Sequence, residues 1–184
     1  TAVNSSGESA SSNQVCGETE SSVAPEGPQT KTIGVGTSTN NRTPIYSSRS
    51  SSSSQHIYTK GEIDFVPGVI SQIAFKQSNL YTYGGSVKIK VYMQNTTKES
   101  FVDANDLVSF SEGEPVFDGY LTILDEQEGW LEIELDAPFP YNGENILLTV
   151  VHDSGSTLYA ANFYTTSATS RSLTNYDGGL YTKR

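Results

Sequence analysis

The sequence predicts an all-β fold, an antiparallel β-sandwich of the jelly-roll kind with seven to nine short strands and an extended N-terminal leader. Three observations lead to this prediction. Apolar and polar residues alternate in several short segments, which is the period of a half-buried strand. Glycine-containing turn sequences separate these segments. No apolar stripe with helical spacing continues over three turns.

The leader covers residues 1–31 and is rich in Ser, Gly, Glu and Pro. Such a segment has too little to bury to offset its ordering entropy, so we predict a linker or extended leader. The single cysteine, Cys16, lies here, and both an inert thiol and an intermolecular bond stay open. The chain begins with Thr1 rather than Met. We therefore expect a processed or excised segment of a longer protein.

The sandwich module is predicted over residues 32–184. Residues 30–39 read as a short β-segment with glycine kinks. The serine run at residues 50–54 reads as a flexible surface loop. The predicted strands then cover residues 55–59, 69–75, 87–93, 116–123, 130–135, 146–151 and 158–164.

Side-chain alternation assigns a face to each strand. Val69, Ser71, Ile73 and Phe75 are predicted to share one face. Residues 146–151 are apolar on both faces apart from Thr149, which is typical of a central, doubly covered strand. Residues 98–108 are predicted to hold one helical turn at most. The inner faces of two sheets are expected to pack against each other through Phe75, Val91, Leu121, Ile133 and Leu148.

Charge and composition exclude several function classes. Acidic residues outnumber basic ones 21 to 11, giving a net charge of −10. This balance argues against binding to nucleic acid or to an anionic membrane surface. No apolar run approaches the roughly 20 residues that cross a bilayer, so we predict no membrane insertion. The chain has one Cys and two His, which are too few for most zinc sites and make a catalytic triad improbable. We therefore predict no cofactor and no enzymatic activity.

An ordered series of motifs runs through the module. It consists of TIGVGTST, TPIYSS, SQHIYTKGEI, ISQIAF, VYMQNTTKESF, VFDG and LDAPFPYNGENILLTVVHDSG. The series, over roughly residues 32–177, resembles a jelly-roll or fibronectin-like β-sandwich module of large secreted, multi-domain surface and adhesin-type proteins of Bacteroidetes bacteria. This resemblance implies a non-catalytic module that is secreted and lies at the cell surface, and it carries no catalytic residue over.

The resemblance also bears on the C-terminal end. Modules of this kind continue into one more strand after the SRSLTNYD-like segment, whereas this sequence stops at Arg184. A sandwich without its last strand exposes an unpaired edge. Either the chain has been cut short, or a neighbour supplies the strand by β-augmentation.

Four aromatic residues are candidate contacts to a glycan or a protein. Trp130 is the only tryptophan, and Tyr81, Tyr83 and Tyr141 lie near glycines. Aromatic rings at loops and strand ends combine a large apolar face with a polar tip. Ordinary packing is the alternative interpretation for each of them.

Acidic residues and histidines give weaker hypotheses. Asp125, Glu126 and Glu128 are weak calcium candidates, because Ca²⁺ needs six to eight oxygens and no D-x-D-x-D-G spacing is present. These three residues, together with Glu132 and Glu134, are more typical of a solvated acidic face than of the carboxylate pair of a glycosidase. His152 is predicted at a strand end, and no serine lies in a G-x-S-x-G motif that would favour a catalytic pairing with His56 or His152.

Two functions are compatible with these sequence features. The first is a structural or adhesive module that contacts neighbouring domains or subunits of the same surface assembly, with strand exchange as one mode of contact. The alternative is a carbohydrate-binding accessory module of a secreted hydrolase, with glycans as partners. Only analogy at the level of the fold supports the alternative.

Overall fold

The computed structural model of the chain describes residues 27–46, 48–80, 82–110, 113–153 and 161–176, together with one strand pair near the N-terminus. The chain divides into two units, Thr1–Thr30 and Lys31–Arg184. In the first unit, strand β1 (Val3–Asn4) pairs antiparallel with strand β2 (Gly7–Glu8). Cys16 lies outside the described residues.

Two antiparallel sheets build the second unit, which confirms the predicted all-β sandwich class. The described strands are β3 (Ser38–Asn40), β4 (Ser51–Tyr58), β5 (Gly68–Gln77), β6 (Gly85–Thr96), β7 (Phe117–Ile123), β8 (Gly129–Tyr141), β9 (Asn145–Asp153), β10 (Phe163–Thr165) and β11 (Ser172–Tyr176). One short helix, α1 (Lys60–Ile63), follows β4. One sheet has the order β3-β10-β5-β8, and the other has the order β11-β4-β9-β6-β7.

The core lies between the two sheets and follows the predicted alternation. Val87, Ile89 and Val91 of β6 are each 0% exposed. On β8, Leu131 is buried whereas the next residue, Glu132, is exposed. The expected core residues belong to one cluster, with Val91, Leu121, Ile133 and Leu148 buried and Phe75 packed against them.

Strand β9 is covered on both faces, as its apolar sequence predicts. On the outer face of its sheet, Leu147 packs with Ile57 and Phe101. The segment that carries Phe101 is held there by the buried side chain of Gln55. This side chain donates to the carbonyl oxygen of Val108 at 2.7 Å and accepts from the N–H of Val108 at 2.9 Å. The described residues between β6 and β7 contain no helix.

The serine run is a buried strand, so the prediction of a surface loop was wrong. It forms the first half of β4, between β11 and β9, where Ser52 and Ser54 are nearly inaccessible. Ser52 Oγ accepts from the N–H of Tyr46 at 3.0 Å, and Ser54 donates to the carbonyl oxygen of Pro44 at 2.6 Å. Burial of these hydroxyls is tolerated because they bind backbone groups of the preceding segment.

A β-bulge corrects the predicted face of β5. The register against β8 shifts between Ile70 and Gln72. Between these two pairs β5 advances by two residues and β8 by five, and the side-chain alternation of β5 is not continuous across the irregularity. Ile70 therefore packs against the core while Val69 is 70% exposed, and Ile73 and Phe75 face the core as predicted.

The first and the last predicted β-segments of the module differ from the prediction in where they begin. The β-segment expected at residues 30–39 begins only at Ser38, because Gly34 has a φ of +85° that interrupts an extended strand. Of the strand expected at residues 158–164, residues 158–160 lie outside the described part, and β10 begins at Phe163.

Candidate functional site

A groove of about 480 Å³ lies beside the segment that precedes β3. Its volume falls within the roughly 300–1,000 Å³ that is usual for small-ligand sites. Both sheets contribute to its walls, through residues 56–58 of β4, 74–76 of β5, Trp130 of β8, 163–165 of β10 and Ser172 of β11.

A glycine fixes the segment that precedes β3 at the groove. The N–H of Gly36 donates to Thr166 Oγ1 at 2.8 Å. A Cβ atom on Gly36 would overlap the carbonyl oxygen of Thr165, so only glycine permits this approach. The contact leaves Ile33 and Val35 at the rim of the groove, where both side chains are exposed.

A cluster of aromatic and charged side chains, here called the Trp130 cluster, consists of Trp130, Lys76, Tyr164 and Glu128, of which the first three line the groove. Lys76 and Trp130 are register partners on β5 and β8. Lys76 Nζ lies 2.9 Å from Glu128 Oε1 and 4.8 Å from the centre of the Tyr164 ring. The Tyr164 hydroxyl donates to Glu128 Oε2 at 2.8 Å.

Hydrogen bonding sets the charge state of the Trp130 cluster. The hydrogen bond from Lys76 holds the pKa of Glu128 below its usual value, and the Tyr164 hydroxyl adds to this effect. The same carboxylate raises the pKa of Lys76 and of Tyr164. At neutral pH the cluster therefore holds a paired carboxylate and ammonium.

His56 forms a buried wall of the groove. Its Nδ1 lies 2.8 Å from Ser172 Oγ, and its Nε2 lies 2.9 Å from Ser54 Oγ. Because Ser54 donates its own proton to Pro44, it accepts from the ring at Nε2–H, and Ser172 donates to Nδ1. Burial lowers the pKa of His56 to about 4. The neutral ring thus links β4 to β11.

An ion pair between Glu62 and Arg171 lies at the same wall. Arg171 Nη2 donates to Glu62 Oε1 at 2.7 Å, and Nη1 donates to Oε2. Glu62 also accepts from the N–H of Thr59 at 2.9 Å, which completes a capping box at α1. The hydrogen bond from Arg171 lowers the pKa of Glu62 to about 2, and burial raises the pKa of Tyr58 to about 12.

The four predicted ligand contacts have different positions. Trp130 lines the groove and is 48% exposed. Tyr83 is 49% exposed but is not a lining residue of the groove. Tyr141 belongs to β8, and the alternation of this strand turns its ring into the core, where it is 4% exposed. Tyr81 lies outside the described residues.

The calcium candidates lie in the exposed turn between β7 and β8. Asp125 Oδ1 accepts from the N–H of Gly84 at 3.0 Å, Glu126 has a φ of 45°, and Glu128 belongs to the Trp130 cluster. Within the described part of the chain, no group of three or more His, Cys, Asp or Glu side chains is placed to hold a metal ion.

Four groove residues were not predicted from the sequence, namely Lys76, Tyr164, Glu62 and Arg171. The spacing Thr59-x-x-Glu62 is a capping-box signal that is readable in the sequence. The pairing of Lys76 with Trp130 depends on strand register across a long sequence separation, which no local pattern reports.

The fold and the groove define a class, an all-β two-sheet sandwich with a concave surface formed by both sheets. Comparisons with protein-family models, with curated proteins and with solved structures find no match. Among the described residues, no helix has the length and apolar character needed to cross a bilayer.

Proposed function

We propose that this chain is a non-catalytic structural or adhesive module of a multi-domain surface protein that works outside the cell. It acts through protein–protein contacts with neighbouring domains or subunits, including strand addition at a sheet edge. The observation that carries the proposal is the position of β11. This strand pairs with β4 on one side and, within the described residues, has no strand on the other.

Backbone geometry identifies the groups that an incoming strand would use. The N–H of Ile57 donates to the carbonyl oxygen of Arg171 at 3.0 Å. Because hydrogen-bonding direction alternates along an antiparallel strand, Leu173 also directs its backbone groups toward β4. Thr174 directs its N–H and C=O toward the outer edge, where a further strand would pair.

The groove residues support the non-catalytic part of the proposal. His56 is neutral and bonded to two serines, while Glu62 and Glu128 are held in ion pairs with Arg171 and Lys76. These groups link strands and loops to one another. The pKa of each of His56, Glu62 and Glu128 is lowered in the fold, which makes them weak bases and argues against a role in general base catalysis.

Replacing Thr174 by proline tests the edge. The full wild-type chain is expected to self-associate with rising concentration in sedimentation velocity. Thr174→Pro is expected to abolish this association while keeping the melting temperature close to wild type, because proline is tolerated where the N–H faces away from the ladder. Thr174→Val keeps the N–H and is the matched control.

Two results contradict the proposal. One is a wild-type chain that stays monomeric at every concentration. The other is a Thr174→Pro chain that associates as wild type does. Leu173→Pro calibrates the effect on folding, since it removes a hydrogen bond to β4 and is expected to lower the melting temperature.

The groove favours a second candidate function, a carbohydrate-binding accessory module of a secreted hydrolase. The supporting observation is the half-exposed indole of Trp130 at a groove of ligand size. Trp130 lies on β8 of the four-stranded sheet and Thr174 on β11 of the five-stranded sheet, so variants at these two positions test the two functions separately.

A further inference from the structure

We propose that the Trp130 cluster binds an uncharged saccharide, with one sugar ring packed on the Trp130 indole and its hydroxyl groups directed into the groove. The inference rests on the second candidate function above. It adds which residues form the binding site, that the sugar binds through the face of its ring, and that the sugar is uncharged.

The position of Trp130 suits a sugar ring. Trp130, Lys76 and Tyr164 come from β8, β5 and β10, three neighbouring strands, and meet on the outer face of the four-stranded sheet. The indole is 48% exposed, so about half of this large apolar side chain remains accessible to a ligand. The C–H face of a pyranose packs on such a ring, while its hydroxyls reach polar groups at the periphery.

The charges at the groove indicate a neutral ligand. Lys76 pairs with Glu128 at 2.9 Å, and Arg171 pairs with Glu62 through two hydrogen bonds. Among the described lining residues, each lysine, arginine and glutamate is therefore already neutralised by an opposite charge. A uronate or sulfate would need an uncompensated cation, and the net charge of −10 adds repulsion.

Hydroxyl groups and a fixed carboxylate supply the hydrogen bonds. Glu128 uses one oxygen for Lys76 and the other for Tyr164. An ionised carboxylate has about four acceptor positions, so it still accepts from sugar hydroxyls. The side chains of five threonines line the groove, and hydroxyls of this kind both donate and accept, as sugar hydroxyls do. They are Thr32, Thr37, Thr43, Thr165 and Thr166.

Intrinsic fluorescence reports on this site directly, because Trp130 is the only tryptophan of the chain. The full chain is titrated with neutral trisaccharides (cellotriose, maltotriose, xylotriose, mannotriose and chitotriose) and with charged trigalacturonate. At least one neutral sugar is expected to shift or quench the emission in a saturable way. Trigalacturonate is expected to leave the emission unchanged.

Variants then assign the binding to the cluster. By calorimetry with the responding sugar, Trp130→Ala is expected to weaken binding about tenfold or more, as truncation of an aromatic anchor does. Tyr120→Ala is the matched control, since Tyr120 is an exposed aromatic residue, 69% accessible, on β7 of the other sheet. It is expected to bind as wild type does. Thermal melting of both variants verifies folding.

The outcomes separate this inference from the functions on which it rests. If the wild-type chain binds no glycan by fluorescence or on a glycan array, both the carbohydrate function and this inference are overturned. If a charged glycan or a peptide binds through Trp130 in preference to neutral sugars, the inference fails. Binding that survives Trp130→Ala also overturns it. Self-association through β11 is expected to be unchanged in Trp130→Ala, so the edge-strand proposal stands or falls independently.

Discussion

Protonation of His56 is expected to make the fold acid-sensitive. Burial lowers the pKa of this ring from 6.5 to about 4 in the folded chain. The folded state therefore binds the proton less readily than the unfolded state, and stability falls as the pH drops from about 6.5 toward 4. With about 1.4 kcal/mol per pKa unit, the loss from this residue alone reaches about 2 kcal/mol at pH 5 and about 3 kcal/mol at pH 4.

Urea unfolding of wild type and His56→Gln at pH 7 and pH 5 measures this loss. Glutamine does not titrate, so the wild-type free energy of unfolding is expected to fall by about 2 kcal/mol more than that of the variant. The lower limit of pH 5 avoids Glu62, whose stabilising ionisation is lost only between pH 4.5 and about 2. His152 is present in both chains, so its contribution cancels.

An equal loss in both chains between pH 7 and pH 5 would refute the reasoning. That result would mean that His56 has an ordinary pKa in the folded chain and does not connect β4 to β11 as a neutral ring. His56→Asn provides a second non-titrating variant in case glutamine does not fit between Ser54 and Ser172.

Gln77→Ala is expected to lower the free energy of unfolding by about 2–3 kcal/mol, measured with urea, because it removes a fully buried side chain and leaves partly buried backbone groups of the turn between β7 and β8 without their partner. Gln72→Ala on the same strand removes an exposed side chain and should change stability by less than about 0.5 kcal/mol. A comparable loss in both variants would argue against this role of Gln77. Gly36→Ala is expected to speed hydrogen exchange in the segment before β3, since its Cβ would overlap Thr165, whereas Gly61→Ala meets no atom within 4 Å. Unchanged exchange in Gly36→Ala would show that this segment is not held by the close contact.

Strand faces were predictable wherever the alternation was regular. In β6 and β8 the apolar residues recur at every second position, and burial follows the same period. The pattern in β5 failed at its first residues because its register against β8 is irregular between Ile70 and Gln72, so that Ile70 lies inward and Val69 outward.

Polar residues misled the prediction where the fold satisfies them. Ser52 and Ser54 were predicted to lie in a loop, because a run of serines is typical of a flexible surface loop. In the fold their hydroxyls bind Tyr46 and Pro44, and the strand is enclosed between β11 and β9. Tyr141 lies in the core for a different reason, since β8 continues past its predicted end at residue 135 and includes this residue.

The sequence by itself determined the fold class and the inward faces of most strands, because both depend on a period of two residues that is legible locally. It also identified Trp130 as a candidate. Only the tertiary structure decided that Lys76 lies between Trp130 and Tyr164 and that His56 meets Ser172. These contacts depend on which strands are neighbours and in which register, and that arrangement minimises the free energy of the whole sandwich rather than of any one segment.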